Sequence, residues 1–227
     1  MKYPSSCRAV MFDLDGTLLH TAPDLADAVN AMLTELGRDN LPEQTVANYV
    51  GKGAENLIHR SLTGTLTDRA EAALFHMAHD SFTRHYTRLN GQRAAFYEGV
   101  IDGLNELANM GLKLAVVTNK PSRYTMPLLE RTGILGRFVT VVSGDTCERK
   151  KPDAMPIAHA CAQMGVQTAH ALMIGDSIND AQAANAAGSL CWLLPYGYNE
   201  GNPIEQTPCD GYIQTIAQAA ALLRAAA

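Results

Sequence analysis

Short apolar runs bounded by polar and glycine-containing turns recur along the chain. They alternate with stretches whose apolar positions step by three or four. The first run, Ala9–Phe12, ends at Asp13-Leu14-Asp15-Gly16-Thr17, which reads as a buried strand opening into a tight loop. From residue 98 onward the runs Lys113–Thr118, Phe138–Ser143, Ala171–Gly175 and Leu190–Leu194 predict further strands. Helical patterns lie between them at about 99–110, 122–132, 154–164 and 178–187, and a last one covers about 213–224. Strands this short and this apolar suit a parallel sheet covered by helices on both faces. The pattern predicts an α/β, Rossmann-like three-layer core with at least five parallel strands.

Residues 20–94 break the rhythm. Leu25, Ala28, Val29, Met32, Leu33 and Leu36 recur at helical steps until Gly37 stops the run. Further helical stretches follow at about 43–50, at 53–62 and from near Asp68 towards Leu89, with no strand of useful length among them. An all-helical cap over 20–94 is therefore expected, inserted into a core made of 1–19 and 95–227. An insertion directly after the aspartate loop sits over the carboxyl ends of the strands, where open α/β sheets bind ligands.

Composition narrows the class. The chain has 227 residues, 47% of them hydrophobic and 18% charged, as in an ordinary globular protein. A net charge of -5 gives no support for nucleic acid or an anionic membrane surface as partner. The five cysteines are scattered, with no Cys-x-x-Cys, so a reduced, cytoplasmic setting is expected, with Cys7 and Cys191 as small core residues. The stretch before Asp13 is too short for a secretory signal, and no segment approaches the roughly 18 apolar residues that span a bilayer. His76-x-x-His79 lacks a third zinc ligand in the sequence. The alanine-rich tail reads as a last helix with a frayed end, and leaves monomer and homodimer both open.

The chemistry lies at the strand ends. Asp13 and Asp15 follow the first strand, Thr118-Asn119-Lys120 the second, and Gly175-Asp176-Ser177 the fourth, with Asp180 four residues beyond Asp176. Lys150-Lys151-Pro152-Asp153 precedes the helix at 154. Neighbouring parallel strands bring these groups to one edge of the sheet. Carboxylates gathered there repel one another and need a cation, and oxygen ligands without a His/Cys cluster favour Mg2+. A lysine and a hydroxyl beside them suit a phosphate.

These motifs carry a resemblance. Asp13-Leu14-Asp15-Gly16-Thr17, Thr118, Lys151-Pro152 and Gly175-Asp176-Ser177-Ile178-Asn179-Asp180 occur in the order found in the haloacid dehalogenase superfamily, and the chain resembles its phosphatases, within them the phosphoglycolate phosphatases with a helical cap. The resemblance covers nearly the whole chain. It implies that Asp13 is nucleophile and Mg2+ ligand, and that Asp15 is general acid/base with its carbonyl on the metal. It also implies that Thr118 and Asn119 hold the phosphoryl group and Lys151 neutralises it beside Asp13. Asp176 would be a direct metal ligand, and Asp180 a ligand through water or an orienting partner. A carboxylate at position 15 favours phosphoric monoester hydrolysis over the dehalogenase branch.

The substrate expected on these grounds is a small phosphorylated metabolite, 2-phosphoglycolate first. A sugar-phosphate or nucleotide phosphatase is the alternative, and a phosphomutase a further one. Gly51 and Gly53 frame a loop that opens a helix, and Lys52 between them is the candidate for a substrate carboxylate. His20 stands where similar phosphatases often carry an acidic residue, beside the entry to the cap.

Overall fold

The structure, a computed structural model, describes residues 1–3 and 6–226. Pro4, Ser5 and Ala227 lie outside the described residues, and with Ala227 goes the final residue of the expected frayed tail. Strand β1 (Ala9–Phe12) is followed by β2 (Leu19–His20) and then by four helices: α1 (Ala22–Glu35), α2 (Glu43–Tyr49), α3 (Ala54–Thr63) and α4 (Ala72–Leu89). The chain returns through β3 (Ala95–Phe96), α5 (Val100–Asn109), β4 (Lys113–Val117), α6 (Ser122–Arg131) and β5 (Thr140–Val142). It continues with α7 (Met155–Met164), β6 (Ala171–Gly175), α8 (Ile178–Ala187), β7 (Leu190–Leu193), β8 (Gly211–Tyr212) and α9 (Ile216–Ala226).

The main sheet has six strands in the order β5-β4-β1-β6-β7-β8, all parallel. Successive residues alternate between its faces. Val10, Phe12, Val116, Ile174 and Trp192 pack under α5, α6 and α9. Ala9, Met11, Val117, Met173 and Leu193 pack under α7 and α8. The second face uses smaller helix residues, Ala160, Ala183 and Ala184 among them, which lets α7 and α8 lie close to the sheet. These two layers and the sheet make the three-layer core.

β1 leads onward to the β4 side and β6 to the β7 side, so the connections diverge between β1 and β6. In an open sheet that divergence leaves a crevice at the carboxyl ends. Asp13 and Asp176 both follow strands that border it.

The inserted helices have a hydrophobic cluster of their own. Leu25, Val29, Met32 and Leu33 of α1 pack with Val46 of α2, Ile58 of α3 and Phe82 and Tyr86 of α4. Tyr124 of α6 and Tyr198 of the loop after β7 complete this cluster from the sheet side. The cap-like insertion is tied off by a two-stranded antiparallel pair, β2 with β3, which pairs Leu19 with Phe96 and His20 with Ala95. Two-residue strands carry too little alternation to be read from sequence. His20 Nδ1 lies 2.8 Å from the Tyr198 hydroxyl and 3.3 Å from that of Tyr97, which places it in an aromatic cluster at the root of the insertion.

Other differences from expectation are local. β8 adds a sixth strand, paired with β7 through only two residues. α4 starts at Ala72 rather than near Asp68, because the Glu71 side chain accepts hydrogen bonds from the Ala73 and Leu74 amides and caps the helix there. The five cysteines are free thiols; Cys191 is buried, whereas Cys7 is half-buried against the core. Among the described residues no helix is long and apolar enough to cross a membrane.

Candidate active site

β1 is hydrogen-bonded on both sides, and the ladder continues one residue further: the Asp13 amide donates to the Ile174 carbonyl at 3.0 Å. The backbone that carries Asp13 is thereby fixed before any ligand arrives. Its carboxylate accepts from the Leu14 amide at 2.7 Å. Gly16 then takes a positive φ of 85°, a conformation that L side chains avoid, and a Cβ there would overlap the Asp176 carboxylate. That turn lets the Thr17 hydroxyl donate to Asp176 at 2.6 Å. The Tyr198 amide donates to the other Asp176 oxygen.

Asp180 sits in the first turn of α8, where its carboxylate accepts from the Ser177 amide at 3.1 Å and the Ser177 hydroxyl at 2.8 Å. This is helix capping, and the same side chain turns its second oxygen to Lys151 Nζ at 2.6 Å. Lys151 Nζ also lies 3.1 Å from Asp13. One ammonium, its side chain 1% exposed, thus bridges two carboxylates. Lys151, rather than Lys150, is the lysine that the fold brings in. Asp13, Asp176 and Asp180 each offer a carboxylate oxygen, and these atoms lie within 4.8 Å of one another.

Burial and mutual repulsion mark this group. Loss of solvation pushes the Asp13 carboxyl up to about 6, with Lys151 opposing the shift and Asp180 adding to it. Burial, then the charges of Asp13 and Asp180, raises Asp176 well above the ordinary carboxylate range. Burial pulls the Lys151 ammonium down, but Asp13 and Asp180 more than offset it and hold the group up at about 12. One lysine facing three carboxylates leaves negative charge unbalanced. With oxygen donors only and no histidine or cysteine in the group, the residues present fit a hard divalent cation such as Mg2+.

Asp15 faces the opposite way, towards the insertion. It accepts from the Thr21 hydroxyl at 2.7 Å, and Lys120 Nζ lies 3.0 and 3.2 Å from its two oxygens. Lys120 also donates to the Tyr86 hydroxyl of α4 at 2.5 Å. Asp13, Asp15, Thr118, Asn119 and Lys120 line one cavity of about 40 Å³, closed from above by apolar residues of the insertion and by Tyr86. The Asn119 side chain donates to the Gly51 carbonyl at 3.0 Å and the Lys151 carbonyl at 2.9 Å, linking the glycine-framed loop to the sheet edge.

Lys52 is not brought into this cavity. Its ammonium lies 3.1 Å from Glu200, in the loop after β7, and its side chain is 43% exposed. Arg60, buried in α3, donates to the same Glu200 carboxylate at 2.6 Å. Burial raises the Glu200 carboxyl, but Arg60 and Lys52 outweigh it and hold the group below its usual range.

Four residues with a part in this geometry were given no chemical role from sequence: Lys120, Tyr86, Tyr198 and Glu200. Lys120 had a signal, because it stands two residues after Thr118 at the same strand end. The other three are brought in by packing alone.

A family model described as haloacid dehalogenase-like hydrolase matches residues 10–192. The chain belongs to the haloacid dehalogenase-like hydrolases. Its relatives within this family include a phosphoglycolate phosphatase of Nitrosospira multiformis, 46% identical over 224 residues that cover 99% of each chain. Another, from Thiobacillus denitrificans, is 42% identical and covers 97% of each chain. Among solved structures, a predicted phosphoglycolate phosphatase from Haemophilus somnus superposes with a TM-score of 0.90 at 30% identity, covering 96% of this hydrolase and 98% of that chain.

Proposed function

We propose that this hydrolase cleaves 2-phosphoglycolate to glycolate and phosphate through a phosphoaspartyl intermediate. The observation that carries the reading is the cavity. It joins two aspartates, a strand-end threonine and a buried lysine beneath apolar side chains of the insertion. Leu25, Val50, Ala54 and Leu57 in that lining offer no partners to the hydroxyls of a sugar phosphate or nucleotide, which suits a short ester instead. Relatives named phosphoglycolate phosphatase over nearly the full chain support the same choice.

In this reading an Asp13 carboxylate oxygen attacks phosphorus, and the bond to the glycolate oxygen breaks. Asp15 gives its proton to that leaving oxygen, then takes one from the water that attacks the aspartyl phosphate. Phosphate leaves and the Asp13 carboxylate is restored. Lys151 offsets the charge of Asp13 and the phosphoryl oxygens, and the Thr118 hydroxyl and the loop at Asn119 hold those oxygens in place. Mg2+ would be held by the carboxylates of Asp13 and Asp176 and the main-chain carbonyl of Asp15, with Asp180 orienting the set. When bound it neutralises charge on the nucleophile and the transferring group. Residues 20–94 form the lid that keeps bulk water out, on the core of 1–19 and 95–227.

A kcat/KM panel of small phosphorylated acids, sugar phosphates and nucleotides, run with Mg2+, tests this reading. A preference of at least about tenfold, or 1.4 kcal/mol, for 2-phosphoglycolate is expected. A flat profile overturns the substrate.

The carboxylate group also sets how stability responds to metal and pH. The Asp13 carboxyl is raised to about 6 in the folded chain, so between about pH 4 and 6 the native state holds a proton that the unfolded state has lost. In chelator, the melting temperature should therefore fall as pH rises through that window. Saturating Mg2+ should raise it by roughly 5–10 °C at pH 7.5, and by clearly less at pH 5. Equal gains at both pH values in thermal unfolding would remove these carboxylates from metal binding.

A further inference from the structure

A substrate carboxylate needs a cation, and besides the exposed Lys150 beside Gly53 the fold offers two candidates near the cavity. Lys52 was the one legible in the sequence, but it is half-exposed and already paired with Glu200. Lys120 is the one cationic side chain among the described residues that line the cavity, and its side chain is 4% exposed. An ammonium this buried requires anionic partners, and its position is constrained by them.

Two contacts fix where it points. The Tyr86 hydroxyl, brought down from α4, accepts from it at 2.5 Å, and its Nζ lies 4.8 Å from the centre of the Tyr86 ring. The Asp15 carboxylate engages it from the other side at 3.0 and 3.2 Å. The chemistry of the ester adds the decisive constraint. In 2-phosphoglycolate a single methylene separates the carboxylate from the ester oxygen. The group that protonates that oxygen therefore has the carboxylate almost alongside it. If Asp15 is that group, the cation reading the carboxylate must stand next to Asp15, and Lys120 does.

We propose that Lys120 determines specificity by pairing with the substrate's carboxylate, with the Tyr86 hydroxyl aiming its ammonium into the cavity. The assignment rests on the phosphoglycolate reading above. It makes the insertion a partner in selection through α4, by way of Tyr86, rather than through the glycine-framed loop and Lys52.

The test compares kcat/KM for 2-phosphoglycolate and for 2-hydroxyethyl phosphate, which has the same length and a hydroxymethyl group in place of the carboxylate. In Lys120→Met the ratio of the two should fall about 10–100-fold, the range for losing a charge-assisted hydrogen bond. In Tyr86→Phe, which leaves the Lys120–Asp15 pair in place, it should fall about 3–10-fold, as for one neutral hydrogen bond. In Lys52→Ala it should change less than about threefold, as for an exposed ion pair.

Losses of equal factor on both esters in Lys120→Met, with an unchanged ratio in Tyr86→Phe, would assign Lys120 to Asp15 alone and overturn the proposal. So would a ratio that collapses in Lys52→Ala. Should Lys120→Met not accumulate as folded protein, the Tyr86→Phe ratio decides. Wild-type enzyme that shows no preference between the two esters defeats the phosphoglycolate reading itself, before any variant is made.

Discussion

Asp13→Asn should lower kcat for phosphate release by at least about 10⁴-fold, the scale on which removing a covalent nucleophile acts. The amide has nearly the shape of the carboxylate, and its oxygen can still accept from the Leu14 amide, as Asp13 does at 2.7 Å. The backbone at 13 is held by the ladder to β6, so the substitution has little to rearrange. It also takes one negative charge out of a buried group of three carboxylates. The folded chain in chelator should therefore be at least as stable as wild type at pH 7.5, where the Asp13 carboxylate is ionised against its burial. Steady-state hydrolysis and thermal unfolding measured on the same preparation check both halves. Turnover within about tenfold of wild type would mean that another group attacks phosphorus.

Lys151→Met should act on both activity and stability. Methionine keeps much of the volume of lysine but removes the ammonium that bridges Asp13 and Asp180 at 3.1 and 2.6 Å. Stripping one partner from a buried ion pair costs about 3–5 kcal/mol, because the remaining charge has neither water nor counterion. For a chain of this size that corresponds to a fall in melting temperature on the order of 10 °C. The loss should be largest in chelator above pH 6, where Asp13 is ionised, and Mg2+ should recover part of it. Activity should drop by about 10²–10³-fold, the effect of removing one preorganised group that stabilises developing charge. A melting temperature within about 2 °C of wild type in chelator would mean that Asp13 and Asp180 do not depend on Lys151 for their charge balance.

The two variants probe residues that lie far apart in sequence and that the fold brings to 3.1 Å. Most of the fold was legible because its signals are local. Five apolar runs gave β1, β4, β5, β6 and β7 within one or two residues, and the helices between them followed from three- and four-residue spacing. The sixth strand was not legible, since Gly211–Tyr212 owes its pairing to Trp192 and Leu193 of β7 rather than to any pattern of its own. The strand-end groups could be read for the same reason as the strands: a parallel sheet sends all its carboxyl ends to one edge.

What sequence could not supply is which charge faces which. Lys52 has the glycine neighbours of a binding loop, and only the packed chain puts Glu200 within 3.1 Å of it. Lys120 stands at the strand end beside Thr118, but only the packed chain lowers Tyr86 of α4 onto it. Asp180 is at once a helix cap and an active-site carboxylate, because its two oxygens point in different directions.

The separate hydrophobic cluster of the insertion has a consequence for how such a protein can change. Val46, Ile58 and Phe82 are buried among themselves, and among the described residues only Tyr124 and Tyr198 enter that buried cluster from the sheet side. Substitutions on α1 to α4 can alter the ceiling of the cavity without disturbing the residues that pack β1, β4 and β6. Randomising that ceiling while leaving the strand ends alone is thus a route to new substrates on an unchanged reaction. The two tyrosines are the seam along which an exchanged set of helices would have to match.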